Sequence, residues 1–459
     1  MLHLHSSNRL EKLVDMLAEV TKQPLATPFH RERIVVQSKG MERWLNLELA
    51  QRLGIWANAE FPFPGKIVGQ ILRTVLSKDI EINYFDRQAV HYFDREVLQW
   101  GVMQCLPTLL DDSDFSEIKA YLQEDHQGVK LFQLSQRVAD LLDQYVIYRP
   151  EWVQAWEQDK ILEELLSSGK SLAWQTKLWQ ALFRKYGNEH YAYLYEKFKT
   201  QVLQTDFHNP YLPKRLSIFG IHALPPFYID IFEKLSHVTE IHLFILNPCQ
   251  EYWGDILSNT EIAHRIARRY KKPNTPETLY FATGNRLLAS WGQVGRDFVD
   301  MLLNYDAEDS DDTVIDLPPQ NLLEHLQSDI LHLTEYQGNA AQRVKLSIDD
   351  NSVQIHACHS PMREVDVLHD QLLALFECDP SLSPKDILVM MPDVESYAPF
   401  IQAVFDTQSD ARKHIPFSIA DRNLRSASAL IDAFIALLEL QHSRFNVNEV
   451  LNLLEREVV

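Results

Sequence analysis

Cysteine is scarce in this chain. Four thiols, Cys105, Cys249, Cys358 and Cys378, are scattered over 459 residues without a CxxC pair. That removes a disulfide framework and a cysteine-type zinc site from consideration, and fits a reducing, cytoplasmic setting. No apolar run approaches the ~20 residues of a membrane span. The N-terminus lacks the basic-then-apolar pattern of a secretion signal. Basic charge is in deficit: 44 Lys and Arg stand against 64 Asp and Glu, a net −20. Such a balance argues against coating duplex DNA over the whole surface, yet leaves room for a local basic channel.

The most telling absence is a phosphate-binding loop. Residues 2–5 alternate as a short strand, and Leu10, Leu13, Val14 and Leu17 recur at helical spacing. Asn8 is the expected N-cap, with Glu11 three residues on. Only Ser6 and Ser7 lie between strand and helix start. A nucleotide loop needs glycines, so that backbone N–H groups can approach phosphate, and a lysine for the β- and γ-phosphates. Neither is there. The second half of an ATPase site would be an acid holding Mg²⁺ at the end of a core strand. The corresponding strand, residues 216–220, ends in Ile218-Phe219-Gly220, and Phe219 cannot bind a metal. HExxH and GxSxG are also missing. The sequence predicts a motor-shaped body with no catalytic residues, metal or cofactor of its own.

What is present reads as α/β. Residues 33–37 are a β-branched strand run, followed by the loop Ser38-Lys39-Gly40 and a helix face of Met41, Trp44, Leu45 and Leu49. From about residue 80 to 205 strand patterns vanish and helices rich in Trp, Tyr, Leu and Gln take over. Strands resume at 216–220 and 240–246, joined by a helix over 227–235 that opens after Pro225-Pro226. This is a βαβ unit, so its strands should be parallel. The acidic stretch around Asp306, Glu308, Asp309, Asp311 and Asp312 reads as a solvated loop. A helix over 322–333 and a linker at 337–342 precede a new α/β unit. Its strands are expected at 353–357, 387–391 and 415–419, and its helices at 363–376 and 398–405.

Several residues merit weighing as chemistry. His356, Cys358 and His359 would alternate faces on a strand and are expected to pack rather than to ligate a metal. Gly292 and Gly295 suit a packing turn. Arg265, Arg268, Arg269, Lys271 and Lys272 form a basic cluster that suits a solvated face or phosphate contact. Gln37, Ser38 and Lys39, with Arg43 a turn later, offer donors at the carboxyl end of a strand, where open α/β sheets bind ligands. Phe63, between Pro62 and Pro64, could stack on a base or anchor a loop. Asp140, Asp143 and Gln144 share one helix surface at i, i+3 and i+4, suited to base edges or simply to water.

These segments together resemble one family, RecC, the gamma subunit of exodeoxyribonuclease V. The matching stretches run in family order over essentially the whole chain. They include HSSNRL (5–10), VQSKGMERWL (36–45), GIWANAEFPFP (54–64), KLFQLSQRVADLLDQYVIYRPEW (130–152), GIHALPP (220–226), NPCQEYWGDI (247–256), LLASWGQVGRDF (287–298), QSDIL (327–331), CHSPMREVDVLHDQLLAL (358–375) and SYAPFIQAVF (396–405). Family members are longer, which accords with the abrupt end at Val459.

The resemblance implies a superfamily 1 helicase-like parallel α/β domain that has lost its motor motifs. Residues 1–80 and 205–335 would be domain 1A, residues 81–204 a helical 1B insertion, and 345–459 the start of a second helicase-like domain. It implies a heterotrimer with RecB and RecD, which use the ATP and Mg²⁺, in recombination and double-strand break repair. The RecC-like subunit would split duplex ends, channel single-stranded DNA and scan it for Chi. Carried over by position, Gln37, Asp140, Leu141, Asp143, Gln144 and Arg149 fall in matching segments. Lys39, Arg43, Phe63 and Gly69 sit at neighbouring positions that differ from the best-known enterobacterial pattern, and Tyr191 stands where the family has Arg. Lys39 and Arg43 could pair with guanine. An active divergent helicase or nuclease subunit, or a pure assembly module, are the competing readings.

Overall fold

Short aliphatic strands alternating with amphipathic helices build one parallel sheet. In the computed structural model, residues 1–459 are described except 26, 28, 77–90, 126–127, 161–171, 205–206, 270–283, 306–307, 336–343, 346, 407–412, 421–427, 441–442, 444 and 456–459. The chain divides into two compact units, residues 1–346 and 347–459. The sheet of the first unit comprises β1 (Leu2–Ser7), β2 (Glu32–Val35), β3 (Ala59–Glu60), β4 (Arg215–Phe219), β5 (Glu240–Leu246) and β6 (Glu308–Thr313). Its spatial order is β3-β2-β4-β5-β1-β6, and every pairing is parallel. The register sets Leu2 against Ile241 and Leu216 against the same residue from the other side.

Parallel sheets need both faces covered, and the sequence supplies two sets of helices. On one face α1 (Leu10–Lys22) and α2 (Lys39–Leu53) bury Leu13, Val14, Leu17, Leu45 and Leu49 against Ile34, Val36, Phe219 and Phe244. On the other, α3 (Pro64–Leu76) lays Ile67, Val68, Ile71 and Leu72 beside Val35, Leu216, Ile218 and Ile241. Each such fully buried aliphatic side chain contributes about 1.5–3 kcal/mol. The turn after β4 requires Gly220: its φ is +62°, and a Cβ there would lie 3.4 Å from Met41. The Gly220 N–H donates to the Phe244 carbonyl at 2.9 Å.

Between β3 and β4 the chain builds helices: α4 (Arg95–Leu109), α5 (Ser116–Leu122), α6 (Val129–Tyr148), α7 (Pro150–Glu157), α8 (Leu172–Tyr186) and α9 (Tyr191–Val202). They enclose a core of their own around Leu98, Leu106, Val138, Leu142, Trp156 and Trp179. Tyr191 packs against both this core and the sheet core. After β4 come α10 (Pro226–Leu235), α11 (Asn259–Arg269), α12 (Arg286–Trp291), α13 (Gln293–Leu302) and, past β6, α14 (Leu322–Leu331).

Two expectations for this unit are corrected. Asn8 does not cap α1; Arg9 holds that position without a side-chain cap. The Asn8 amide instead donates to the Ile315 carbonyl at 2.8 Å and accepts from the Ile315 N–H at 2.9 Å. The acidic stretch is not a loop but strand β6. It carries four carboxylates in six residues and pairs with β1. Carboxylates at a sheet edge deter further strand addition. The expected linker at 337–342 lies outside the described residues.

In the second unit α15 (Pro361–Cys378) and α16 (Val394–Phe405) pack through Val365, Leu372, Val404 and Phe405. Two further helices, α17 (Ala429–Leu440) and α18 (Val447–Leu454), follow. The helices expected at 363–376 and 398–405 are there as α15 and α16, and α17 was not foreseen; the strands expected at 353–357, 387–391 and 415–419 are absent among the described residues. An extended segment becomes a strand only when a neighbour takes its N–H and C=O groups, and none of the described segments forms that ladder. Ile355 is 94% exposed and Met390 84%. His356 and His359 are likewise exposed, so the packing expected of them does not occur. His356 Nε2 sits 3.1 Å from Gln354 Oε1.

Candidate nucleic-acid interface

The carboxyl edge of the sheet gathers the first group of residues. Ser38 caps α2, its hydroxyl accepting from the Met41 N–H at 3.1 Å. The cap turns the chain sharply and leaves Gln37 and Lys39 at the mouth of β2. Gln37 Nε2 donates to the Ala223 carbonyl, 3.3 Å away in the loop after β4. Lys39 Nζ pairs with Glu42 at 2.6 Å and stands 5.8 Å from the Phe63 ring centre. Exposed pairs of this kind contribute about 0–1 kcal/mol, so Lys39 can be drawn off by a phosphate at little cost. Phe63 is 42% exposed; the loop is anchored by buried Pro62 beside it, leaving the ring available for stacking. Arg43, on the exposed side of α2, has no ion-pair partner among the described residues.

Helix α6 carries the second group. It buries Ser135, Val138, Ala139, Leu142 and Val146, which places Asp140, Leu141 and Gln144 on the opposite side. Asp140 Oδ1 lies 3.5 Å from Arg95 Nε. The helix ends where Arg149 leaves helical backbone and Pro150 opens α7. The exposed Arg149 guanidinium stands 5.8 Å from the Trp152 ring and donates to the Tyr148 carbonyl at 2.9 Å.

Asp143 departs from the solvated-face reading. It lines a small pocket with Arg73, Phe93, Asp94, Glu189, His190 and Tyr191. Burial, partly opposed by Arg95 and reinforced by Asp140 and Asp94, pushes its carboxyl up to about 6. A carboxyl raised from 3.8 to about 6 keeps its proton longer in the folded chain than in the unfolded one, so stability falls as pH climbs through that window. Asp143→Asn is therefore expected to stabilise the chain by about 1–2 kcal/mol at pH 7.5 and by little at pH 4. Urea midpoints at the two pH values check this; equal gains at both would refute it.

Residues the sequence did not single out lie between the two groups. Tyr228 on α10 is buried, and a Cβ at Gly65, two residues from Phe63, would be 3.3 Å from its hydroxyl. The same tyrosine feels the charge of Asp143 and Tyr191, and its hydroxyl is pushed far up by burial. Arg73 and Asp94, 2.9 Å apart, also escaped the sequence reading. They stand far apart in the chain, and only the fold brings them to Asp143. Gly69 was the one available signal.

Other candidates fall elsewhere. At the β1–α1 turn, Ser7 Oγ donates to the Thr313 carbonyl at 2.7 Å and Asn8 bonds Ile315, so its polar side chains are engaged internally. Phe219 is buried, 5.8 Å from Phe244 and 6.4 Å from Trp44. Gly292 separates α12 from α13, and a Cβ there would meet the Leu288 carbonyl oxygen at 2.5 Å, a packing turn. Of the basic cluster, Arg265, Arg268 and Arg269 lie on α11, while Lys271 and Lys272 fall outside the described residues. Among the described residues no His, Cys, Asp and Glu side chains group as a metal site, and no helix is long and apolar enough to cross a membrane.

Comparison with known proteins gives a consistent picture. A family model described as RecC, N-terminal domain, matches residues 2–333. The RecBCD enzyme subunit RecC of Escherichia coli K12 is 38% identical over 494 aligned residues, covering 100% of this chain and 43% of that protein. The Haemophilus influenzae subunit is 36% identical over 98% of this chain and 43% of its own length. The Mycolicibacterium smegmatis subunit is 30% identical over 99% and 40%. The chain thus spans less than half the length of the curated relatives it matches.

Proposed function

The chain belongs to the RecC family, and from that premise we propose that it serves as a non-catalytic, DNA-reading part of a RecBCD-type helicase–nuclease. In this reading its partners are RecB and RecD, which use the ATP and Mg²⁺ of the complex in the cytoplasm. The body is a helicase-like 1A domain with a helical 1B insertion and the start of a second helicase-like domain. It parts an entering duplex end, channels single-stranded DNA and scans it for Chi.

The observation that carries the reading is the presence of two chemically different surfaces in one unit. The loop edge offers cations and a half-exposed aromatic ring: Lys39, Arg43 and Phe63. Phosphates and base faces are held by such groups. The α6 face offers Asp140, Gln144 and, beyond the helix end, Arg149, which suit base edges. Lys39 and Arg43 can donate to guanine, while carboxylates accept from the cytosine amine. A strand laid between them would have its backbone held on one side and its bases inspected on the other. Lost base contacts cost about 1–3 kcal/mol each.

The test is photocrosslinking in the assembled heterotrimer on a duplex with a 3′ single-stranded tail. A photoreactive side chain replacing Phe63 or Gln37 is expected to capture the tail. Asp140→Ala or Arg149→Ala is expected to weaken the Chi response about tenfold while unwinding continues. Capture of protein alone, with a normal Chi response in both variants, would favour a pure assembly module.

A further inference from the structure

Gly69 lies on α3 with its bare face turned to the helical core. A Cβ there would stand 2.7 Å from the Tyr191 hydroxyl and 3.0 Å from Arg73 Nη1. The missing side chain is what lets these two groups sit where they do. The Arg73 guanidinium lies 5.5 Å from the Tyr191 ring centre, and its Nη2 donates to Asp94 Oδ1 at 2.9 Å. Asp94 Oδ2 accepts from the His91 N–H at 3.1 Å. One arginine from the sheet layer thus engages the start of α4 and the start of α9 together. Tyr191, which it covers, is the residue shared by both cores.

Asp143 stands beside this junction and lines the same pocket as Arg73, Asp94 and Tyr191. The charged and titratable groups around it come from every neighbouring element. Asp94 and Arg95 face it from α4, and Asp140 from its own helix. Glu189, His190 and Tyr191 stand at the start of α9, and Tyr228 approaches from α10. Asp94 is the carboxylate that Arg73 neutralises; unpaired, it would bear on Asp143 with full charge at short range in a poorly solvated site.

We propose that Arg73 is a positioning residue for the DNA-reading face: seated against Gly69 and Tyr191 and paired with Asp94, it locks α3 to the helical core and shields Asp143 from the Asp94 carboxylate. The proposal rests on the DNA-reading assignment above and specifies how that site is regulated. Asp143 neighbours the exposed Gln144 on α6; ionised, it adds negative charge behind the strand-reading face and opposes a polyanionic strand, and protonated it does not. Arg73 therefore governs the pH range over which the face accepts a strand.

The experiment uses the full heterotrimer, a photoreactive group in place of the exposed Gln144, and a fluorescent 3′-tailed duplex. Crosslink yield is measured between pH 5 and 8. In the parent complex it is expected to fall with a midpoint near 6, and Asp143→Asn should flatten the profile. Arg73→Met should move the midpoint up by about half a unit or more, Arg73→Met with Asp94→Asn should bring it back, and Arg73→Lys should leave it in place. If Arg73→Met does not assemble, Asp94→Asn alone should move the midpoint down. An unchanged midpoint in Arg73→Met, or in Asp94→Asn where that variant stands in, overturns the role of Arg73 when Asp143→Asn still flattens the profile. No crosslink at position 144 under any condition sinks the DNA-reading assignment itself, and the proposal with it.

Discussion

Arg215→Ala is expected to destabilise the first unit by about 3–5 kcal/mol, the usual result of breaking one side of a buried ion pair. The guanidinium is 4% exposed. Its Nε donates to Glu32 Oε2 at 3.3 Å, and Nη2 pairs with Glu32 Oε1. Nη1 donates to the Val20 carbonyl at 2.7 Å and Nη2 to the Gln23 carbonyl at 3.0 Å. The residue thus joins the starts of β2 and β4 to the carboxyl end of α1, whose last carbonyls have no helical donor of their own. Alanine would leave the largely buried Glu32 carboxylate without its cation and remove the side-chain donors to the Val20 and Gln23 carbonyls. Against a typical total of about 5–15 kcal/mol, that is a large fraction. Removing both charges, as Arg215→Met with Glu32→Leu, should be far milder. Chemical unfolding followed by tryptophan fluorescence measures both; a loss below about 1 kcal/mol in Arg215→Ala would show the pair to be solvated.

The second large effect is acid lability centred on the histidines of β1 and β5. His5 Nε2 and His242 Nδ1 are 3.0 Å apart, and both rings are buried. His3 stacks on His242 with centres 4.9 Å apart. Glu240 Oε1 approaches His242 Nε2 at 3.2 Å, but without the alignment of a hydrogen bond. Burial, then the charges of His5 and His3, hold the His242 imidazole down to about 3. The folded state thus binds this proton less readily than the unfolded chain does. The contribution to stability is complete above pH 6.5 and drains away as pH falls toward 3, by up to about 1.4 kcal/mol per unit. At pH 5 roughly 2 kcal/mol should be gone. Asp143 works the other way over pH 6 to 3.8, because its proton is favoured by folding. Asp143→Asn should therefore steepen the acid loss, and His242→Leu should flatten it. Denaturant midpoints at pH 7.5 and 5.0 in the three chains separate the two groups; an acid slope untouched by His242→Leu would count against the histidine account.

How far the sequence spoke depended on whether local pattern or tertiary context decides each feature. β4 and β5 read as strands because they are apolar on both faces, and α10 because Pro225-Pro226 opens it. β6 did not, since Glu308, Asp309, Asp311 and Asp312 carry no strand period; its pairing comes from the free edge of β1. The position of Gln37 and Lys39 at the carboxyl end of a strand, with Arg43 a turn later, was legible. Asp140 and Asp143 looked alike by helical spacing. They differ because Asp143 faces the α3–α9 junction and Asp140 faces outward, a distinction that spacing along α6 cannot carry. Arg73 and Asp94 had no motif to announce them. In the second unit α15 and α16 followed from their own periodicity, whereas the expected strands needed neighbours that no described segment supplies.

The place of β1 inside the sheet has a consequence for synthesis. Leu2 pairs with Ile241, and His3 with Glu308. At roughly 5–20 residues per second, β1 waits some ten to fifty seconds after its own synthesis for its earlier neighbour, β5. The helices of residues 95–202, whose contacts are more local, can meanwhile assemble. An unzipped strand is thus exposed over that interval, which makes residues 2–7 a natural place for a holding chaperone to bind.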